Sequence, residues 1–220
     1  MRIKFLSIFA LTTLTLFAVS CSGEKKNETD AETAKTEKTI SEEAVKYKVD
    51  TANTTVTWKG SKAIGGSHNG TMNVTSGAFA VKDGKLESGN FIIDVASLKV
   101  VDIPAEDEGN AKLKGHLLSK DFFDAEKHGS AAFSITAVKE ENGKTMIEGN
   151  LTLKDVKKNI SFPATVTVNG NKAMIVSEVF TIDRTDFGMQ YGSSSLADTI
   201  KDKAISDDVE LSVKLVATKQ

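Results

Sequence analysis

Val209-Glu-Leu-Ser-Val-Lys-Leu215 decides the fold class. Aliphatic residues take every second position, and Glu210, Ser212 and Lys214 fill the positions between. Successive side chains of a strand point to opposite faces, so the pattern reads as a strand with one apolar face and one solvated face. The same period recurs upstream. Ile160, Phe162, Ala164, Val166 and Val168 alternate up to Asn169-Gly170, a turn signal. Ile147, Gly149, Leu151 and Leu153 alternate after Asn142-Gly143, and Phe133, Ile135 and Ala137 precede it. Phe91, Ile93 and Val95 share a face, as do Val56 and Trp58. Ser76 to Val81 runs into Lys82-Asp-Gly-Lys85, where Asp-Gly marks a hairpin. Met174 to Ile182 completes the set.

About eight strands result, joined by tight turns and therefore largely antiparallel. One segment departs from period 2. Ala105 to Leu118 carries Leu113, Leu117 and Leu118 among charged residues, a spacing that suits a short amphipathic helix. Pro104 can start it, and Glu106-Asp-Glu108 suits the positive end of a helix. The expected class is all-β with one short helix. Strands with one apolar face each close into a barrel or stack as a sandwich.

The N-terminus has another logic. Arg2 and Lys4 are followed by an uncharged run from Phe5 to Val19, and Ala18-Val-Ser-Cys21 closes it. A basic start, a short apolar run and small residues at a cut site form an export signal. The run is shorter than the ~20 residues that span a bilayer as a helix. The end of the run resembles a bacterial lipobox, with Ala18 in place of the usual Leu. That resemblance implies cleavage before Cys21 and lipidation of its thiol, and several acyl chains anchor stably where one does not. Cys21 is the single cysteine, so no intramolecular disulfide forms. Ser22 to Lys38 mixes both charge signs with Thr and Ala and has no aromatic residue, a composition expected to stay disordered. The expected organisation is a signal peptide (1–20), a lipidated cysteine with a disordered tether (21–45), and a β-domain (46–220).

Composition limits the partners. Lys and Arg number 28 against 30 Asp and Glu, a formal charge of -2, and no basic cluster is interleaved with aromatics. Nucleic acid is therefore not expected. His116 and His128 are too far apart for the common zinc motifs, and no Gly-rich phosphate loop or nucleophile elbow is present. Neither a metal, a cofactor nor an enzymatic activity is expected.

Several stretches together resemble the YceI-like family of exported bacterial proteins. They are Val56-Thr-Trp58 with Gly65-Gly-Ser-His-Asn-Gly70; Gly115-His-Leu-Leu-Ser-Lys-Asp-Phe-Phe-Asp-Ala-Glu-Lys127 with Ala132-Phe133; Gly149 to Lys154 with Ile160 to Thr165; and Phe180 to Gly188 with Asp207 to Val213. The resemblance runs along nearly the whole domain. It implies a lipocalin-like antiparallel barrel with a helix near its mouth, which binds a long isoprenoid lipid or quinone inside. It also implies an envelope location and leaves room for a homodimer. The absence of Asp after Cys21 favours an outer-membrane anchor facing the periplasm.

On the residues alone, a barrel of this size is either filled by its own side chains or holds one small ligand. Trp58, Phe91, Ile93, Phe133, Ile135, Leu151, Phe162, Val166 and Phe180 are the candidate lining of such a lumen. His68, in a glycine-rich bend, and Arg184, in Asp183-Arg-Thr-Asp186, are candidate head-group contacts. Each also has a structural alternative: His68 as a hydrogen-bonder in a turn, Arg184 as the partner of a nearby carboxylate. A filled barrel would instead act through its surface in the envelope.

Overall fold

The computed structural model describes residues 27–141, 143–196 and 203–220. The export signal and Cys21 lie outside the described residues. The strands are β1 (Glu32–Thr33), β2 (Val45–Val49), β3 (Thr55–Lys62), β4 (Ser67–Lys82), β5 (Lys85–Val100), β6 (Ser130–Glu141), β7 (Lys144–Leu153), β8 (Val156–Asn169), β9 (Lys172–Ser177), β10 (Phe180–Asp183) and β11 (Ile205–Lys219). Among the described residues one α-helix, α1 (Glu108–Leu118), lies between β5 and β6.

The pairing closes on itself, and every ladder between these strands is antiparallel. β4 through β8 form a meander, β8 pairs with β9, β9 pairs with β11, and β11 returns to β4 through β2 and β3. β2 and β3 share one stave of the barrel, and β9 and β10 share another. The eleven strands, less those two sharings and the short β1, make eight staves. The eight expected strands thus correspond to staves. The run from Met174 to Ile182 is broken at Glu178 and Val179, while β1 and β2 were not legible as strands.

Turns alternate between two ends. Asp83-Gly84 and Gly170 turn at one end, and both members of Asp83-Gly84 take positive φ, as a type I′ hairpin requires. Ala63 to Gly66, the segment carrying α1, Lys154-Asp155 and the stretch from Arg184 to Leu196 lie at the other end, the mouth. β4 and β5 are 16 residues each and bend at register shifts, including those near Asn73 and Ser76. α1 starts at Glu108 rather than at Ala105. Asp107 caps it by accepting the Gly109 N–H at 2.7 Å, and Pro104 lies in the preceding turn.

The stretch expected to be a disordered tether is, from Asn27 on, part of the fold. Thr29 donates its N–H to the Thr181 carbonyl at 3.0 Å, and Ser161 donates to Thr29 Oγ1 at 2.8 Å. β1 then pairs with Lys158 and Asn159 of β8. This strap therefore fills the seam where β8 and β10 do not meet. Farther on, Lys35 and Asn150 exchange hydrogen bonds, N–H to Oδ1 at 3.0 Å and Nδ2 to the Lys35 carbonyl at 2.7 Å. Ser41 ends the strap on Glu87 at 3.0 Å. Composition misjudged this stretch because its ordering is offset by another strand's unpaired edge, not by apolar burial of its own.

Candidate functional site

The mouth half of the barrel is hollow. A cavity of about 380 Å³ opens there, and its wall is almost wholly hydrocarbon. Of the nine expected lining residues, Trp58, Phe91, Ile93, Phe133, Ile135, Leu151, Phe162 and Phe180 face it. Val166 does not. It continues the inward alternation of β8 past Ala164, close to the Asn169-Gly170 turn, and is half-buried against the core, while its register partner Ile175 does line the cavity. The alternation gives the face of a side chain but not whether it reaches the cavity.

Two glycines hold the wall back. Phe133 lies across Gly149: a Cβ there would stand 2.1 Å from Phe133 Cζ. Trp58 lies across its register partner Gly70, where a Cβ would meet Trp58 Cζ2 at 2.7 Å and the Lys99 carbonyl at 1.7 Å. Each aromatic ring therefore rests on a neighbouring strand. Phe162 stacks on Phe180 at 4.4 Å and continues the aromatic wall. Trp58 Nε1 is buried and has no hydrogen-bond partner among the described residues. A donor left in that state costs about 1–3 kcal/mol, and an acceptor on a bound molecule would satisfy it.

The mouth is rimmed by α1 and two loops. Leu113 and Leu117 of α1, with Phe122 and Phe123 just beyond it, face the cavity. The sequence marked these leucines as a helix face, and the packing makes that face part of the cavity roof. Met72, Ile147 and Ile182 also line the cavity and were not singled out; their signal was the same period-2 alternation.

The two polar candidates differ in what they have left to offer. His68 stands at the rim and faces the cavity, with Nδ1 2.7 Å from Asp102 Oδ2. Asp102 also accepts the Asn69 N–H at 2.9 Å. Burial works against ionisation of Asp102, but the bonds from Asn69 and His68 outweigh it and hold the carboxyl below its ordinary range. The other ring nitrogen of His68 makes no hydrogen bond within the described protein. Arg184 also reaches the cavity wall, but its donors are committed. Nε donates to the Ser206 carbonyl at 3.0 Å, Nη1 to the Met189 carbonyl, and Nη2 to the Ile205 carbonyl and to Asp207 Oδ1 at 3.2 Å. Burial pulls the guanidinium below its usual value, against the pull of Asp207 and Asp183. Asp207 in turn takes the Ser195 N–H and the Ser194 hydroxyl. Arg184 thus ties the first residues of β11, and Met189 in the loop before it, to the end of β10.

Residues 47–217 match the YceI-like domain family. A UPF0312 protein of Vibrio campbellii is 32% identical over 133 residues, which are 58% of this chain and 66% of that protein. The crystal structure of Burkholderia cenocepacia BcnA is similar with a TM-score of 0.60 and 28% identity, covering 77% of this chain and 99% of BcnA. A polyisoprenoid binding domain from Saccharophagus degradans shares the fold, with a TM-score of 0.56 and 15% identity over 80% of this chain and 99% of that one. With the family match running from β2 to β11 and a closed barrel of the same build, this chain belongs to the YceI-like family.

Proposed function

We propose that the protein binds or carries a long apolar lipid, of the isoprenoid quinone or polyprenyl type, with its tail in the barrel cavity. It is a binding protein and not an enzyme in this reading. The carrying observation is the cavity itself: about 380 Å³ of hydrocarbon-lined space that reaches the surface at one end. Such a space gains little from water and much from an apolar chain. Burying roughly 400 Å² of tail is worth about 10 kcal/mol before the cost of association. The unpartnered Trp58 donor and the free nitrogen of His68 suit a head group with hydrogen-bonding atoms at the top of that tail. The polyisoprenoid-binding description of the Saccharophagus degradans domain supports the lipid class. In the same proposal, Cys21 carries the lipid anchor and the domain stands at the outer membrane, facing the periplasm.

Native mass spectrometry of residues 22–220, purified from a bacterial host without added lipid, tests the reading. A bound species with the mass of a quinone or polyprenyl lipid is expected. It should be lost in Phe133→Asp with the far-ultraviolet circular dichroism unchanged. A chain that stays free after incubation with both lipid types overturns the proposal.

A further inference from the structure

Among the described residues, large apolar side chains are exposed at few places, and the most exposed of them gather at one end. Ile64 is 62% exposed, Val101 57%, Tyr191 48% and Leu196 47%. Each sits on a loop that also builds the cavity mouth. Ile64 tips the β3–β4 turn, between Lys62 and Gly66 of the cavity lining. Val101 donates its N–H to the Asn69 carbonyl, beside His68. Tyr191 stacks edge-on against His116 at 4.8 Å, and Phe122 adjoins both. Leu196 follows in the same loop, bonded back to Ser193. Among the described residues, the other exposed large apolar side chains (Ile40, Ile92, Val168 and Met174) are dispersed over the strap, the outer face of β5 and the far parts of β8 and β9.

We propose that this apolar ring docks the cavity mouth onto a lipid bilayer, so that the lipid passes between membrane and barrel without crossing water. The inference rests on the lipid-binding reading above. A ring of exposed apolar side chains around the opening of an apolar tunnel has no use to a ligand that arrives through solvent, and it carries an aggregation cost. It suits the interface of a bilayer, where aromatic and aliphatic side chains enter the boundary between head groups and chains. The end of the strap fits the same geometry. Glu28 bridges Thr181 on β10, three residues before Arg184 at the mouth, a height difference of about 10 Å at the rise of a strand. Cys21 is six residues before Asn27, a covalent reach of about 20 Å. An anchor on Cys21 can therefore enter the same bilayer surface that the mouth would touch.

The test uses the chain from Ser22 to Gln220, without lipid at the N-terminus. All described contacts lie between Asn27 and Gln220, so this chain keeps them. Co-flotation is measured with vesicles of phosphatidylethanolamine and phosphatidylglycerol, for the wild type and for Ile64→Ser/Val101→Ser/Tyr191→Ser/Leu196→Ser. A parallel titration measures binding of a short-chain quinone in detergent. The expected result is at least a tenfold weaker vesicle association of the variant, with quinone affinity in detergent unchanged. Absence of vesicle binding by the wild type, or equal binding by the variant, overturns the docking proposal. Retention of the variant's phenotype with proteinaceous beads in place of vesicles would make the ring a protein-binding surface and overturn it as well. Vesicle binding without quinone binding in detergent instead sinks the lipid-carrier reading and leaves the docking surface standing. A second variant, Ile40→Ser/Met174→Ser, lies away from the mouth and should float with the vesicles like the wild type; if it does not, the ring is not the docking surface.

Discussion

One half of the barrel is filled and the other half is hollow, although the same alternating strands build both. At the filled end Tyr47 stacks on Phe79 at 5.6 Å, and Phe79 meets Phe91 at 6.4 Å. Val49, Val81 and Leu86 complete that layer, and Tyr47 Oη donates to the Gly170 carbonyl at 3.4 Å. At the hollow end the aromatic rings lie along the wall, over Gly149 and Gly70, and leave the axis empty. The filled end is held by packing. The hollow end is held by its rim: the Arg184–Asp207 pair, the α1 roof and the strap in the seam. A cavity that must admit a ligand forgoes part of the packing energy that close-packed cores supply, and polar ties on its border replace some of it.

The contrast is most easily broken at its packed side. Phe79→Ala should destabilise the fold by about 3–5 kcal/mol in urea unfolding, since the ring is fully buried and its neighbours are fixed by strand pairing. Phe133→Ala should cost clearly less, because that ring already borders space. Equal losses at both positions would mean that the hollow half is as tightly packed as the filled one.

The rim comes next. Asp207→Asn should cost about 3 kcal/mol at neutral pH, because it leaves the buried Arg184 cation without its carboxylate. Asp207 is held below the ordinary aspartate value of 3.8; burial alone would raise it, and the Ser193 and Ser195 bonds with the Arg184 charge win. A depressed folded-state value contributes stability that is present above about pH 4 and is lost as pH falls through that lower value. The wild type should thus lose stability on acidification below pH 4, and the Asn variant should lose less over the same window. Parallel acid limbs in chemical denaturation would contradict this.

Gly149→Ala tests the wall directly. The added methyl has no room unless Phe133 moves. Overpacking costs about 1–3 kcal/mol, and a ring displaced into the lumen should weaken quinone binding in detergent by at least tenfold. Binding that stays intact would show that the cavity accommodates the displaced ring.

The smallest expected effect lies in the strap. Asn150→Ala removes the exchange of hydrogen bonds with Lys35 and leaves Asn159 one partner short, a loss of about 1–2 kcal/mol. Amide hydrogen exchange should rise at Lys35 and along the seam, at Thr29 and Ser161, while the filled end stays protected. Exchange that rises uniformly would mean that the strap is not a separate unit of stability.

The sequence by itself determined the strands and their faces. Val209 to Leu215, Ile160 to Ala164 and Phe91 to Val95 each needed only period 2, because a pleated chain alternates its side chains whatever surrounds it. It also determined eight inward positions of the cavity wall and the helix that caps it. Three matters were decided only by tertiary structure. Phe162 lies on the cavity wall and Val166, two inward positions further along β8, does not, although its register partner Ile175 does; nothing local encodes that. The fate of the Arg184 donors depends on carbonyls of Met189, Ile205 and Ser206 that a loop brings back to it. The strap is ordered because an unpaired edge of β8, more than 120 residues away, offers Asn159 and Lys158 to Glu32 and Thr33. Local composition predicts how a chain behaves alone; which strand edge is left open is a property of the closed barrel.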